Sequence, residues 1–307
     1  MMKHRLGYAC INLTTGIPLN RTCRLANATD LRLRGLIKSN LDGLMQVLEW
    51  NKENNIYHFR ISSDIIPFAS HEINKIEWWK DFKDEFPAIG TYIKENNFRV
   101  AMHPSPVVYL NSPRPEVVKS SIKELEWHIK FLDALELDSS HKIVFHAGGV
   151  YGDKTEAIKR FIKVYKELPK NFKARLTLEN DDKNYNVWDL TKINEAVGIP
   201  LVFDNLHHEV LNTQQPRDKD IEAILKTFFS TWDNKTEIPD IHYSTQKEAS
   251  RSGSHSESIN LQEFKEFFLK YLHLNFDIMF ETKDKDKSVL SAYKMFKTDP
   301  DFKHVEL

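Results

Sequence analysis

The sequence predicts an α/β protein of the (β/α)8 type, with eight parallel strands closed into a barrel and the helices outside. Three observations point there. Short apolar segments rich in β-branched and aromatic residues recur along the whole chain. Each is followed by a polar loop and a stretch of helical period. The alternation occurs eight times in 307 residues, close to the ~250 residues usual for such a barrel plus insertions. An open doubly wound sheet is the structural alternative.

In chain order the strands are RLGYACIN (5–12), YHFRISS (57–63), FRVAMH (98–103), KIVFH (142–146), RLTLE (175–179), PLVFD (200–204), DIHYS (240–244) and FDIMFE (276–281). The clearest helix follows strand three, where PEVVKSSIKELEWHIKFLDALEL sets Val118, Ile122, Leu125, Ile129, Leu132 and Leu135 on one stripe behind Pro115 at the first turn. The other helices are predicted at 40–54, 84–96, 154–168, 187–197, 217–231, 260–271 and 287–297. No linker, repeat or low-complexity tract divides the chain, which predicts one domain over residues 1–307. Longer insertions at 13–38, 64–83 and 245–258 all follow the C-terminal ends of strands, where a barrel places its chemistry.

Composition narrows the function. The balance of 43 Lys+Arg against 44 Asp+Glu gives a net charge of −1 and excludes a wholly basic nucleic-acid binder. A 41% hydrophobic content argues against disorder, and ten Gly with twelve Pro exclude collagen-like and low-complexity classes. Thirteen His outnumber the glycines, so metal chemistry is the first hypothesis to test. Cys10 and Cys23 cannot staple a chain of this length and show no CxxC spacing. Neither the N-terminal MMKHRLGYACINL nor any other stretch supplies ~18 apolar residues in a row. The expectation is a soluble, intracellular, cytoplasmic protein with no membrane partner and no evident obligate protein partner.

The polar strand ends sharpen this. Strand three ends in His103, strand four in His146, strand five in Glu179, strand six in Asp204 and strand eight in Glu281, while strand seven contains His242. In a barrel these positions converge on one mouth. His207, three residues beyond Asp204, His71 after strand two and His255 after strand seven can join them, giving six imidazoles and three carboxylates. Burying so many titratable groups is costly unless a cation compensates the carboxylates. Nine N and O donors exceed what one ion accepts, so two or three divalent ions are implied, and ligation without Cys suits manganese, zinc or iron better than magnesium alone. The other histidines read as ordinary: His128 on the polar side of the strongest helix, His4 and His304 near the termini, and His58, His141 and His273 before strands on the opposite face. His208 reads either as a supporting donor beside His207 or as an exposed residue.

The motifs RLGYACINLT (5–14), RISSDIIPFASH (60–71), MHPSPVVYLNSP (102–113), VFHAGG (144–149), LTLEND (176–181), VFDNLHH (202–208), IHYSTQK (241–247), SHS (254–256) and FETKDKDK (280–287) recur in an order and spacing that carry a family likeness. The chain resembles the UV damage endonucleases, a TIM-barrel family related to the endonuclease IV type of apurinic nucleases. The resemblance implies a trinuclear site, usually read as manganese, at His71, His103, His146, Glu179, Asp204, His207, His242, His255 and Glu281. It also implies cleavage of one phosphodiester in damaged double-stranded DNA, immediately 5′ to a UV photoproduct, leaving a 3′-hydroxyl. Glu179 and Glu281 are then the bridging and positioning carboxylates and His103 and His146 are catalytic ligands, with no separate general base.

Tyr8 and Asn12 match family positions near the lesion, and strand alternation puts them on one face with Cys10. Two departures stand out. The family commonly follows the strand-three His-Pro with Gly or Asp and a Gln-aromatic pair, whereas this chain reads His103-Pro104-Ser105-Pro106-Val107, leaving Tyr109 as the candidate aromatic wedge. Asp240 stands where the family often carries a carboxylated, metal-associated lysine, and is a possible substitute for its charge. Phosphate contacts are expected from the mouth loops, first of all Arg21, Arg24, Arg32, Arg34 and Lys38 in the strand-one loop, then Arg114, Lys247, Arg251, Lys283 and Lys287, whereas Lys285 in KDKDK reads as a solvated surface charge. An abasic-site endonuclease, a metal-dependent sugar isomerase or epimerase, and an inert DNA-binding or metal-storage module are the competing readings.

Overall fold

All eight apolar segments form strands, each four residues long: β1 (Leu6–Ala9), β2 (His58–Ile61), β3 (Arg99–Met102), β4 (Ile143–His146), β5 (Leu176–Glu179), β6 (Leu201–Asp204), β7 (Asp240–Tyr243) and β8 (Asp277–Phe280). The computed structural model describes residues 4–105, 107–211, 220–233 and 237–303. The strands close into a parallel barrel in sequence order. All but β2 and β4 are buried at every residue, as expected of a parallel sheet covered on both faces. The helices are α1 (Asp30–Glu53), α2 (Trp78–Asp81), α3 (Glu85–Glu95), α4 (Pro115–Ala134), α5 (Lys154–Glu167), α6 (Lys170–Arg175), α7 (Val187–Val197), α8 (Asn205–Leu211), α9 (Ile221–Phe229), α10 (Leu261–Tyr271) and α11 (Asp286–Thr298). No helix among the described residues is long and apolar enough to cross a membrane.

The chain gathers into two compact units, one formed by residues up to Ala9 and from Leu178 onward, the other by Cys10–Thr177. In the first, Leu6 of β1 pairs with Ile278 of β8, and His242 of β7 pairs with both Met279 of β8 and Asp204 of β6. An aromatic layer covers the outer face of these strands. Phe264 of α10 lies 4.9 Å from Phe280 and 5.2 Å from Tyr243, and Phe268 lies 5.1 Å from Phe296 of α11. His4 belongs to this layer and is buried, 5.2 Å from Phe268, with Nδ1 donating to the Phe276 carbonyl.

In the second unit β2 pairs with β3, Phe59 opposite Val100, and Trp78, Phe86 and Phe131 join α2, α3 and α4 at 5.4–5.5 Å between rings. Here three expectations are corrected. His128 is fully buried rather than on a polar face; its Nδ1 donates to the Glu124 carbonyl at 2.7 Å, and burial pushes its pKa down to about 3. His58 lies inside β2, fully buried, rather than before it. Helix α1 begins at Asp30, ten residues early, because Thr29 caps it by accepting the Arg32 N–H. Arg32, Arg34 and Lys38 therefore sit on a helix and not in a loop, with Arg34 paired to Asp81 and Lys38 to Asp42. His304 lies outside the described residues.

Candidate metal centre

Four consecutive strands, β5 to β8, each end in, carry near their end or are directly followed by a group that faces a common point. Glu179, Asp204, His242 and Glu281 each place one ligand atom within 4.8 Å of the others, and all but half-buried Glu281 are sealed from solvent. Asp204 and His242 are register partners, and adjacent parallel partners point to the same face. His242 Nδ1 donates to Glu179 Oε1 at 2.8 Å and lies 3.3 Å from Glu281 Oε1.

Two more imidazoles complete the group. Helix α8 starts at the residue after β6, with no loop, so His207 falls one turn beyond Asp204. Its backbone N–H donates to Asp204 Oδ1 at 2.7 Å, and its Nδ1 donates to the Asn180 carbonyl at 3.0 Å. That leaves Nε2 to act as a ligand, the usual way a second hydrogen bond orients a metal-binding imidazole. His207 Nδ1 also lies 3.7 Å from Glu179 and 3.8 Å from Asp204 Oδ2. His255 comes from the insertion after β7, which folds back on itself through Gln246 opposite His255 and the Lys247 N–H to the Ser254 carbonyl. Gly253 turns this loop with φ +81°, and a Cβ there would stand 2.5 Å from Asp182 Oδ2, so only glycine fits. His255 Nε2 reaches within 3.4 Å of Glu281, and Ser244 Oγ holds its Nδ1 at 2.7 Å.

These residues fit a cation. Burial, together with repulsion from Glu179 and Glu281, raises the Asp204 carboxyl to about 7 against the pull of His207. Asp204 Oδ2 is buried, with no hydrogen-bond donor to it among the described residues, and His207 Nδ1 lies 3.8 Å away. His207 is raised to about 9: burial opposes its charge, but Asp204, Glu179 and Glu281 outweigh it. Three crowded carboxylates and neutralisable imidazoles, with no thiolate, are donors for a hard or borderline divalent ion.

Three residues outside the predicted set hold this geometry. Asn180 and Asp204 exchange two hydrogen bonds at 2.9 and 3.0 Å, and Asn205 and Ser244 exchange two at 2.9 Å. These bonds clip the ends of β5, β6 and β7 together. Their signal was a buried amide or hydroxyl standing immediately after each strand, in LTLEN, VFDN and IHYS. Asp240 is buried at the start of β7, two residues before His242 on the same strand face, and falls in neither ligand cluster found among the described residues.

In the second unit His103 follows β3 and His146 ends β4, both half-buried, their rings 5.3 Å apart; His103 Nδ1 donates to the Pro104 carbonyl. His71 is exposed, and its Nδ1 accepts the Ile73 N–H at 3.0 Å. The strand-one pattern ends early: Cys10 takes φ 70°, which breaks the expected alternation after Ala9. Tyr8 and Asn12 are fully buried, and the Asn12 amide oxygen accepts from the N–H and Oγ1 of Thr15. Tyr109 is half-buried beside Gly148, whereas Val107 is 56% exposed. Arg21, Arg24 and Arg251 are exposed, and Lys247 is paired with Glu257.

Against known proteins, the family described as UV-endonuclease UvdE matches residues 4–306. The chain belongs to this family. It is 42% identical to the UV DNA damage endonuclease of Clostridium perfringens over 95% of this chain and 71% of that protein. It is 35% identical to the UV DNA damage endonuclease of Bacillus cereus over 84% and 81%. The crystal structure of SacUVDE superimposes with a TM-score of 0.88 at 38% identity, covering 96% of this chain and 98% of the other. A D-psicose 3-epimerase from Clostridium cellulolyticum, at a TM-score of 0.53 and 13% identity, shares the fold alone.

Proposed function

We propose that this protein is a DNA repair endonuclease that hydrolyses the phosphodiester immediately 5′ to UV photoproducts, pyrimidine dimers and 6-4 photoproducts among them, using two or three divalent ions, with Mn2+ first and Zn2+, Mg2+ or Fe2+ as substitutes. The observation that carries the reading is the buried carboxylate–imidazole cluster at the ends of β5 to β8, in a chain whose relatives are UV DNA damage endonucleases. Glu179, Asp204, His242 and Glu281 would hold metal, supported by His207 and His255. By the family resemblance, His71, His103 and His146 serve the same reaction, and Asp240 supplies the charge of the family lysine. Bound divalent ions supply Lewis-acid activation of water and neutralise charge at the scissile phosphate.

The chain's own groups have defined tasks. The Asn180 carbonyl holds His207 in one tautomer, and the Ser244 hydroxyl orients the His255 ring through Nδ1. Glu179 and Glu281 both bring carboxylate charge to His242 Nδ1. Arg21, Arg24, Lys247 and Arg251 contact backbone phosphates without reading sequence, and Tyr8, Asn12 and Tyr109 stand nearest the lesion. A pyrimidine dimer already weakens stacking, so displacing it costs less than displacing intact bases. Such a role goes with an intracellular, cytoplasmic protein that is nucleoid-associated when acting on DNA.

The test is incubation with irradiated, abasic and intact plasmids in manganese, with elemental analysis of the same sample. Nicking of the irradiated plasmid first, with 3′-hydroxyl ends, supports the reading. Preference for the abasic plasmid selects an abasic-site nuclease, and no nicking of any plasmid rejects both.

A further inference from the structure

The loop after β4 holds an aromatic ring where the backbone favours a small residue. Within Gly148-Gly149-Val150-Tyr151-Gly152, φ is +108° at Gly148, +53° at Tyr151 and +83° at Gly152. The Asp153 N–H donates to the Val150 carbonyl at 3.1 Å, closing a turn whose two central residues, Tyr151 and Gly152, both lie in the left-handed region. Such turns select Gly, Asn or Asp at the first central position. A bulky tyrosine there is strained.

Burial does not offset that strain. Tyr151 is 44% exposed, and its hydroxyl makes no hydrogen bond among the described residues. The ring is nevertheless seated: a Cβ on Gly149 would stand 3.1 Å from two of its carbons, so the bare glycine backbone leaves room for it. The Arg160 guanidinium of α5 lies 5.6 Å from the ring centroid, within reach of a cation–π contact, and pairs with no carboxylate among the described residues. Arg160 Nε donates to the Asn111 carbonyl at 2.8 Å, and the Asn111 amide donates to the Gly149 carbonyl at 2.7 Å, which fastens the loop to the segment after β3. Asp153 caps α5 by accepting the Glu156 N–H. The loop is thus held at both ends while the phenol stands out from it.

We propose that Tyr151 is a DNA contact whose hydroxyl donates to a phosphodiester oxygen of the substrate backbone. This rests on the reading of the protein as a DNA nuclease. Three observations converge on it: backbone strain that burial does not offset, an unpartnered donor in the loop that follows His146, and a guanidinium without a carboxylate partner against the same ring. An anionic oxygen satisfies both the donor and the cation, whereas a base edge offers the guanidinium no charge. Tyrosine hydroxyls are ordinary phosphate donors, and such contacts fix register without reading sequence. A neutral phenol releases no counterion, so the salt dependence set by lysines and arginines stays as it is.

The experiment measures binding of the full-length protein to irradiated and intact duplexes of one sequence by fluorescence anisotropy in chelator, with nicking of irradiated plasmid in manganese and thermal unfolding of the same samples. Tyr151→Phe is expected to weaken binding of both duplexes about tenfold, through loss of one charge-assisted hydrogen bond, and to raise KM with little change in kcat. Tyr151→Asn suits the turn, but its shorter arm cannot reach the place of the phenol oxygen. It is expected to bind as weakly as Tyr151→Phe while unfolding at the temperature of the unaltered protein or higher. Full binding in Tyr151→Phe overturns the proposal and makes the ring a stacking surface, and a loss confined to the irradiated duplex overturns it in favour of lesion reading. An unfolding temperature that falls with affinity in Tyr151→Asn makes the ring a brace for its loop and overturns it too. Unaltered protein that neither binds nor nicks irradiated DNA rejects the nuclease reading itself, whereas normal nicking with both variants unaffected rejects Tyr151 alone.

Discussion

His128 and His207 are both sealed from solvent, and both donate through Nδ1 to a main-chain carbonyl, at 2.7 and 3.0 Å. They nevertheless sit at opposite ends of the imidazole range. Burial takes His128 down to about 3. The same burial acts on His207, but Asp204, Glu179 and Glu281 carry it up to about 9. Burial and a carbonyl bond make a structural histidine, whereas crowded carboxylates make a place for a cation. The side chains facing the ring, more than its depth, separate the two regions.

The sharpest break is at Glu179. Replacing it with Gln keeps the size and an oxygen to accept the His242 hydrogen bond, but removes the charge. Manganese-dependent nicking of irradiated plasmid should fall by at least about a hundredfold, the scale on which ligand environments control activity, while circular dichroism stays that of the folded protein. His128→Gln, equally buried, should keep nicking close to the unaltered level wherever it remains folded. Retained activity in Glu179→Gln would remove that residue from the mechanism.

Why one histidine population was legible and the other was not follows from their sequence settings. All eight strands were readable because each is a short apolar run between polar turns, and a polar residue closing such a run stands out. His128 was misread because its helix buries a face wider than the Val118–Leu135 stripe: Ser121, Glu124 and Phe131 are buried beside it. Helices α2, α6 and α8 span only four to seven residues, too short to show a period. The early start of α1 was written in Thr29 and in Leu33, Ile37, Leu41 and Leu44, and the charges between them masked it. Which nitrogen of His207 is free depends on the Asn180 carbonyl, which is tertiary information no spacing carries.

Metal removal is the next largest effect. A cation bound only by the folded state stabilises it by about 2.7 kcal/mol at a hundredfold excess over its Kd. Chelation should therefore lower the unfolding temperature by several degrees, and Asp204→Asn should shrink that difference. A chelation shift unchanged in Asp204→Asn would place the ion elsewhere.

The structural histidines predict an acid limb. His128 and His141 are lowered by burial to about 3 and about 4, so below pH 6.5 the unfolded chain binds protons that the folded chain does not. Stability is then full above pH 6.5 and falls as pH drops toward those values. The slope is at most about 1.4 kcal/mol per pH unit for each ring. Urea unfolding of His128→Gln between pH 7 and pH 5 should have a slope shallower by about one proton, and an unchanged slope would mean that His128 titrates normally.

The smallest effect extends the comparison to the surface, where a partner again decides what a charge can do. Arg24 is exposed and its side chain makes no ion pair among the described residues, whereas Lys247 is paired with Glu257, which also lies 3.5 Å from Lys283. An exposed pair is worth about 0–1 kcal/mol, so Lys247 must give up part of any phosphate contact to leave Glu257. Arg24→Ala should reduce the salt dependence of DNA affinity by about one unit of slope, and Lys247→Ala by less. Glu257→Gln reverses the argument: freeing Lys247 and Lys283 should tighten DNA binding and steepen its salt dependence. If it does neither, the seventh-strand loop does not face the phosphate backbone, and the first loop with Arg21 and Arg24 carries the contact alone.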